Sequence, residues 1–301
     1  MDITPQNIST FNRSSVTVWN RGAASYTPES TRLAAQVQAA AGVCVFGWLG
    51  AMPSLRPFVK EVEKASISSN KWTVTPDPWG VKWGIPKRDL MNDTYGQYAS
   101  MFEQNGLLSA VHPDQLLFNR LVAGFTEVDY TGTAFFATTV IKKHATGVDK
   151  NKFKNAFTKQ LTPTYFGQAI AGLGKIVAPD GVPFNQVRKL VLVCGEDNRS
   201  AAEDITEIAT LSGGGTNKYY KKADLIVTPY ITGSHWFLLN MAMPFKPMIQ
   251  GNEQPITFTA KTDPQSEAVF DREEFEYKSY GILRLDYGLP QLAWGSTGAD
   301  A

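Results

Sequence analysis

The chain has 301 residues, a formal net charge of +1, 43% hydrophobic residues and 19% charged residues. This composition is typical of a folded protein long enough for two domains, and the near-neutral charge argues against a protein whose main role is to coat nucleic acid. The apolar runs are too short to span a bilayer, and no basic-then-apolar leader follows Met1. We therefore expect no membrane partner and no secretion signal.

The first 45 residues predict a polar N-terminal segment followed by a lead-in helix. Residues 1–30 are rich in Ser, Thr and Asn, and two interpretations remain open. The segment is either a frayed terminus or an arm that acquires structure only against a neighbouring molecule. Leu33, Val37 and Ala40 then share one face of a helix predicted for residues 31–43.

Alternating residues at 71–75 and 81–86 flank the turn residues 76–80 and predict a β-hairpin or a long loop. Because a two-stranded hairpin is only marginally stable alone, its apolar face must pack on something. The hairpin packs either on its own domain or on an adjacent subunit. The apolar face consists of Trp72, Val74, Val81, Trp83 and Ile85.

The longest predicted helix runs from Asn92 to Phe125, with Asn92 or Asp93 as its N-cap. Pro113 is expected to kink or restart this helix, and Gly106 is a second weak point. At 1.5 Å per residue the rod is about 45 to 50 Å long, so it requires a long groove or a sheet to lie on. Its apolar residues recur at helical spacing: Tyr95, Tyr98, Phe102, Leu107, Leu108, Val111, Leu117, Leu121 and Phe125.

A strand and turn are predicted for residues 129–140, followed by a lysine-rich stretch at 141–159. Phe153 and Phe157 are four residues apart and predict an amphipathic helix within that stretch. Its lysines form either a solvated face or a weak contact with phosphate groups. A further helix is predicted for residues 166–173.

The second half alternates buried strands with helical segments. Apolar runs predict strands at 189–194, 223–228 and 235–241. A capping box at Ser200 and Glu203 predicts a helix that carries Ile205, Ile208, Ala209 and Leu211. Two alternating strands at 255–260 and 274–285 flank an acidic turn at 263–272.

The sequence offers little that indicates chemistry. His112, His144 and His235 lack metal-ligand spacing, and we expect a packing or capping role for His112 and a core position for His235. Cys44 and Cys194 are predicted to be buried free thiols of a reducing compartment. The glycine-rich residues 212–218 follow a helix and lack the order of a phosphate-binding loop. We therefore predict that the chain has no catalytic residue, no cofactor and no metal, and that it is not an enzyme.

One alternative stays open. Glu196 and Asp197 follow the first buried strand, at the position where α/β proteins place ligands. They define the competing hypothesis, an α/β ligand-binding or enzymatic domain with its site at this strand end.

Several segments, in the same order and spacing, resemble the major head subunit of Mu-like phages. They are FGWLG at 46–50, WGIPKRDL at 83–90, AVHPDQLLF at 110–118, and the residues Asn92, Asp93, Tyr98, Phe102, Gly124 and Phe125. The agreement is closest over residues 45–136 and looser through Lys246, Pro247 and residues 275–285. That family is similar to other tailed-phage major capsid proteins of the Hong Kong 97 fold. A tail or decoration component of a virion is a third possibility.

This resemblance implies an α+β capsid fold with an N-terminal arm, an extended β-hairpin loop, a peripheral domain with a long spine helix, and an axial domain. The implied division is an arm and lead-in helix at 1–45, the extended loop at 46–92, the peripheral domain with the spine helix at 93–186, the axial domain at 187–253, return strands of the peripheral domain at 254–280, and a C-terminal axial strand at 281–301.

The implied function is that of a major capsid protein whose pentamers and hexamers form an icosahedral head around double-stranded DNA. The implied partners are other copies of the chain, a separate scaffolding protein, a portal, a decoration protein and non-specifically held DNA on the inner face, with assembly in the host cytoplasm and residence in the virion. The predicted contacts between subunits are Trp72, Val74, Trp79, Val81, Trp83, Lys87, Arg88, Asp263, Glu267, Asp271 and Arg272.

Overall fold

The computed structural model describes residues 5–40, 42–49, 69–91, 96–138, 153–178, 183–210, 214–263 and 267–300. Within these ranges the helices are α1 (Pro5–Ala24), α2 (Ser30–Leu33), α3 (Lys87–Met91), α4 (Gln97–Ala123), α5 (Pro163–Lys175), α6 (Arg199–Thr206) and α7 (Glu267–Arg272). The strands are β1 (Ala34–Gln38), β2 (Cys44–Leu49), β3 (Ser69–Val74), β4 (Asp77–Pro86), β5 (Ala156–Lys159), β6 (Leu190–Cys194), β7 (Ala223–Val227), β8 (Trp236–Asn240), β9 (Met248–Lys261), β10 (Glu274–Tyr287) and β11 (Ala293–Asp300).

The first sheet has four strands in the order β1-β9-β10-β4. β9 and β10 pair antiparallel, and each has 14 residues. At about 3.4 Å per residue this pair is roughly 48 Å long. β4 is antiparallel to β10, and β1 is parallel to β9. The sheet therefore provides the long surface that the predicted rod helix requires.

The second sheet has five strands in the order β5-β11-β8-β6-β7. Every residue of β6 and β8 is buried, as expected for strands that are covered on both faces. One face packs on α5 and α6 through Phe166, Leu173 and Ile205. The other face packs on the C-terminal half of α4.

Helix α4 connects the two sheets. In its first half, Phe102 packs against Phe258 and Tyr277 of the four-stranded sheet, with ring centroids 5.6 and 4.9 Å apart. In its second half, Leu117 and Leu121 are fully buried in a core that contains side chains of both sheets. The helix continues through Pro113, so the predicted restart at this residue was wrong. The predicted N-cap residues, Asn92 and Asp93, lie outside the described residues.

The N-terminal segment differs from both sequence-based interpretations. Residues 5–24 form helix α1, which packs on α4 of its own chain. Trp19 stacks on Phe258 with ring centroids 5.8 Å apart, and its indole N–H donates to the Asn105 side-chain oxygen at 2.8 Å. The backbones approach closely because Gly22 and Gly106 have no side chains: a Cβ on Gly106 would lie 2.1 Å from the Trp19 carbonyl oxygen.

The predicted hairpin at residues 71–86 was also wrong. β3 pairs with β2, in the register Phe46 opposite Trp72, and β4 pairs with β10 instead of β3. The residues predicted as the turn, 76–80, therefore lead from one sheet into another. Residues 50–68, between β2 and β3, lie outside the described residues.

Five further sequence predictions need correction. Residues 34–38 form strand β1 and not a helix, because the segment pairs with β9. The described part of 129–140 holds turns and one isolated bridge between Val128 and Ala134. The segment predicted as a helix around Phe157 is strand β5, parallel to β11. Helix α6 begins at Arg199, after Asn198 and not Ser200, and it ends at Thr206, before Ile208.

Residues 267–272 of the predicted acidic turn form helix α7 instead. Helix α5 covers the predicted 166–173, strands β6, β7 and β8 coincide with the three predicted strands, and β10 covers most of 274–285. Strand β7 was predicted to be buried, but it is only partly buried. Strand β9 begins at Met248, seven residues before the predicted start, and both β9 and β10 run across the implied boundaries at 253/254 and 280/281. The division into arm, loop, peripheral and axial domains stays a prediction.

Candidate subunit-contact surfaces

The stem of the β2–β3 hairpin packs on its own chain. Phe46 joins a cluster with Ile249, Leu289 and Leu292, and Trp72 packs against the same cluster. Val74 is 1% exposed. Val74 is therefore buried within the isolated subunit, and its contact with a neighbour stays a prediction. Trp72 is only half-buried, so its contact with a neighbour stays a prediction.

The predicted contact residues of β4 change from exposed to buried along the strand. Trp79 and Val81 are 37% and 49% exposed, Trp83 is half-buried and Ile85 is buried. Trp79 is held in place because its indole N–H donates to the Leu283 carbonyl oxygen at 3.1 Å, and its ring lies 4.8 Å from that of His112 on α4. An exposed tryptophan held in this way is a rigid apolar anchor of the kind that dominates protein interfaces.

The four-stranded sheet carries charges of both signs at the end where β4 and β9 finish and β10 begins. Arg88, Asp263, Asp271 and Arg272 are exposed there and Lys87 is half-buried. The Lys87 amide donates to the Glu273 carbonyl oxygen at 2.8 Å, so α3 and the start of β10 lie together. Glu267 begins α7. The structure thus places these predicted contact residues at one end of the four-stranded sheet.

Glu276 joins two of the cations near this end. Its Oε1 accepts from the Lys82 ammonium at 2.7 Å and from the Arg272 guanidinium at 2.6 Å. The hydrogen bond from Lys82, with the charges of Lys82, Arg272 and Lys261, lowers the pKa of Glu276. This carboxylate stays ionised and holds both cations on the exposed face of the sheet.

Two polar centres on α4 were not found from the sequence. Asp114 is fully buried, and its carboxylate accepts from the Tyr26 hydroxyl at 2.6 Å and from the Glu29 and Ser30 amides at 2.9 and 2.7 Å. The carboxylate thereby fixes the connection from α1 to β1 on α4. An acid three residues before the buried Leu117, on the buried stripe of the helix and directly after a proline, was the signal that could have identified it.

The second centre is Arg120, which links the end of α4 to β10. Its guanidinium pairs with Asp286 at 2.9 Å and with Glu127, and it lies over the Tyr287 ring at 4.7 Å. Burial alone would lower the pKa of Arg120, but Asp286, Tyr287 and Glu127 outweigh burial and raise it. The arrangement therefore keeps α4 and the long strand together through a permanently charged pair.

The alternative ligand site has no convergent geometry. Glu196 forms a bidentate pair with Arg199 at 2.7 and 2.9 Å and is exposed, as is Asp197. His235 was predicted to lie in the core, but it is half-exposed, with its Nδ1 3.1 Å from the Thr232 carbonyl oxygen. Within the described ranges, no cluster of three metal-binding side chains exists and no helix is long and apolar enough to cross a membrane. Cys44 and Cys194 are buried free thiols, as predicted.

Solved structures with this fold are virus and virus-like shells. A procapsid chain of bacteriophage JBD30 is 21% identical, with a TM-score of 0.58 over 98% of this chain and 76% of that chain. The capsid chain of the cyanophage P-SCSP1u is 9% identical, with a TM-score of 0.57 over 90% and 88% of the two chains. A chain of a virus-like particle from Pyrococcus furiosus is 10% identical, with a TM-score of 0.56 over 95% of this chain and 99% of that chain. The chain has the Hong Kong 97-type capsid fold, in the α+β class.

Sequence comparison identifies the family within that fold. The model of the family described as "Mu-like prophage major head subunit gpT" matches residues 8–166, 139–231 and 232–299. The major capsid protein of Escherichia phage Mu is 28% identical over 140 residues, which are 45% of each chain. The Mu-like prophage FluMu major head subunit of Haemophilus influenzae is 22% identical over 272 residues, 90% of this chain and 67% of that protein. The chain belongs to the Mu-like prophage major head subunit family, although it spans about half the length of the Mu protein.

Proposed function

We propose that this chain is the structural subunit of an icosahedral phage head, and that its copies form the pentamers and hexamers of a shell around double-stranded DNA. The observation that carries this proposal is the match of the head-subunit family from residue 8 to residue 299. Its fold, shared with procapsid and capsid chains, supports the same role. A structural role also agrees with the lack of convergent chemistry at Glu196 and Asp197.

Features of the isolated subunit support assembly. Trp79 and Val81 expose apolar surface on β4, and β4 is an edge strand among the described strands of its sheet. Edge strands with exposed apolar residues are templates for association with another chain. The charged end, with Lys87, Arg88, Asp263, Glu267, Asp271 and Arg272, carries both signs and suits contact with identical copies, because acids of one copy meet bases of the next.

The partners follow from this role. A JBD30 capsid is described as decorated with minor capsid protein trimers, and we propose a decoration protein for this shell as well. A separate scaffolding protein, a portal and DNA held without sequence preference on the inner face complete the expected set. The virion is the expected location, after assembly in the host cytoplasm.

The proposal is tested by electron microscopy and sedimentation of the purified chain, alone and together with the products of its neighbouring genes. We expect capsomer rings or closed shells. A chain that stays monomeric under every condition, including with the neighbouring gene products, would refute the proposed function. A variant at the charged end, Asp271→Lys, should lower the yield of shells while leaving the folded monomer intact. Asp204→Lys, at an exposed position of α6, changes the charge by the same amount and serves as the control.

A further inference from the structure

Strand β7 lies at one edge of the five-stranded sheet, since β6 is its only partner among the described strands. Thr228, directly after β7, donates its N–H to the Cys194 carbonyl oxygen at 3.0 Å, so the even-numbered residues of this segment bond to β6. Peptide groups of successive residues point to opposite sides of a strand. The N–H and C=O groups of Leu225 and Val227 therefore point away from the sheet. Such a row of backbone groups is a template for a further strand.

A groove of about 570 Å³ follows β7 on the side of α6, and we name it the α6-side groove. Its apolar lining residues are Leu225, Val227 and Ile208, and Ile208 is 42% exposed. Its other lining residues are charged: Arg199, Glu203, Asp204 and Glu207. Arg199 already pairs with Glu196 and Glu203, and Glu207 pairs with Lys221. Because its carboxylates outnumber its one cation, this groove favours a cationic side chain.

A second groove, of about 450 Å³, follows β7 on the side of α4, and we name it the α4-side groove. Ile226 faces this side, because it belongs to the core that contains Leu117 of α4, whereas Leu225 and Val227 pack towards α6. Most of its lining is apolar or aromatic: Tyr26, Val111, Phe118, Leu225, Ile226, Val227, Pro229 and Tyr230. Glu29 and Thr228 complete it, and the Glu29 carboxylate pairs with Arg32 at 3.2 Å. This groove favours apolar side chains.

The two grooves thus lie on opposite faces of one edge strand. When an extended peptide joins a sheet edge, its backbone pairs with the edge strand and its alternate side chains enter pockets on the two faces. One face here is acidic and the other is largely apolar. We infer that β7 binds an extended segment of a second protein, in which Lys or Arg residues alternate with apolar residues.

The charge of the grooves selects this occupant over DNA and over another copy of the chain. DNA is a polyanion and would be repelled by the carboxylates of the α6-side groove. The other described edge strands, β1 to β5, contain at most one cation each, so none of them shows the required alternation. A second protein is therefore the occupant that fits. That this protein belongs to the same shell rests on the proposed function.

A pair of peptides tests the site on the purified full chain. The probe is a short fluorescein-labelled peptide in which valine and lysine alternate, and the control has the same composition with all valines before all lysines. Fluorescence anisotropy should show that the alternating peptide binds about tenfold or more tightly, because only its side chains divide between the two grooves. Equal affinities for the two peptides would overturn the inference.

Two methylated peptides test whether the backbone pairs with β7. Methylation of the backbone nitrogen of every valine removes one row of N–H groups from the alternating peptide, and methylation at every lysine removes the opposite row. Since only one row faces β7 in a paired strand, one methylated peptide should lose binding and the other should retain it. Equal affinities for the two methylated peptides would contradict strand pairing.

A variant of the chain tests the acidic groove. Glu203→Gln removes one carboxylate of the α6-side groove and should weaken binding of the alternating peptide by about two- to fivefold. Asp197→Asn makes the same change of charge at an exposed residue that does not line the groove, and it should leave the affinity unchanged. Equal weakening by both variants would show that the peptide responds only to the overall charge, and would overturn the inference.

A photo-cross-link identifies the occupant. Both natural thiols are buried, and burial raises the pKa of Cys194 to about 12, so Ile208→Cys provides one reactive thiol for a benzophenone maleimide. The labelled chain is assembled with the products of its neighbouring genes and irradiated, and cross-linked peptides are identified by mass spectrometry. We expect a peptide of a second protein that contains the alternation. Val187→Cys, at a residue exposed outside both grooves, is the control and should not give that peptide.

The outcomes separate this inference from the proposed function. Shells that form but yield no cross-link, or cross-links only between copies of this chain, would overturn the inference and leave the proposed function standing. Failure of the parent chain to form shells would instead count against the proposed function. The peptide measurements use the unassembled chain and would still decide whether β7 binds such a segment.

Discussion

The two sheets of this subunit differ in how far their strands are buried within the chain. In the five-stranded sheet, β6 and β8 are buried along their whole length by α5 and α6 on one side and by α4 on the other. In the four-stranded sheet, α1 and α4 cover one face, while the edge strand β4 is exposed over most of its ten residues. The central strands of one sheet are thus fully buried within the subunit, whereas the edge strand of the other is left exposed. Stability and assembly should accordingly respond to different residues.

Substitution in the central strand should have the largest effect on the free energy of unfolding. Leu238→Ala removes a side chain that is fully buried in β8, and we expect a loss of about 2–5 kcal/mol. Val81→Ala on the edge strand should change the stability of the monomer by less than about 0.5 kcal/mol. Urea denaturation of both variants measures the difference. Equal losses would show that β4 is as completely buried in the isolated subunit as β8.

The contact between α1 and α4 should reverse the usual effect of alanine in a helix. Alanine is normally about 1 kcal/mol better than glycine in a helix interior. Gly106→Ala should nevertheless destabilise the protein by about 1–3 kcal/mol, because its Cβ would meet the Trp19 carbonyl oxygen at 2.1 Å.

The control is a glycine of helix α5, which packs on the five-stranded sheet. Gly174 is in the last turn of α5, where a Cβ would meet only the Arg188 guanidinium at 3.2 Å, and that flexible side chain can move aside. Gly174→Ala should therefore be neutral or stabilising. Thermal denaturation of both variants measures the change in stability. A Gly106→Ala variant more stable than the parent chain would mean that α1 does not pack on α4 as described.

Substitution of Asp114 tests the connection from α1 to β1, which this carboxylate holds on α4. In Asp114→Asn, an amide nitrogen replaces one of the two oxygens that accept from Tyr26, Glu29 and Ser30, so at least one buried donor loses its acceptor. We expect a loss of about 1–3 kcal/mol, measured by chemical denaturation. Asp204→Asn, at an exposed aspartate of α6, should change stability by less than about 0.5 kcal/mol. A neutral Asp114→Asn would show that the connection to β1 is held by other contacts.

The sequence predicted those elements whose pattern is local and strong. The apolar runs of β6, β7 and β8 predicted strands, and the long repeat of α4 predicted a helix on an extended surface. The predictions failed where pairing partners are far apart in the chain. Trp72 and Trp83 alternate as a hairpin would, yet β3 pairs with β2 and β4 pairs with β10 over its whole length.

Tertiary contacts also changed the identity of two segments. Residues 34–38 have a helical apolar spacing, but pairing with β9 makes them a strand. Residues 5–24 are polar in composition, and their helix is specified by contacts across about 85 residues of chain, such as Trp19 with Asn105. For the predicted contact residues, the sequence identified Trp79 and Val81 as apolar, and only the structure shows that both are exposed on the edge strand β4.

The smallest expected effect concerns pH and the contact between β4 and α4. Burial lowers the pKa of His112 below its usual 6.5, so the unfolded chain binds a proton that the folded chain does not. Stability should therefore be complete above about pH 6.5 and fall as the pH is lowered, by at most about 1.4 kcal/mol per pH unit. His112→Gln removes this contribution and keeps a neutral side chain. The difference in unfolding free energy between parent and variant, measured from pH 7.5 to pH 5, isolates His112 because His144 and His235 are present in both. A difference that stays constant over this range would mean that the imidazole titrates freely and that Trp79 does not shield it from water.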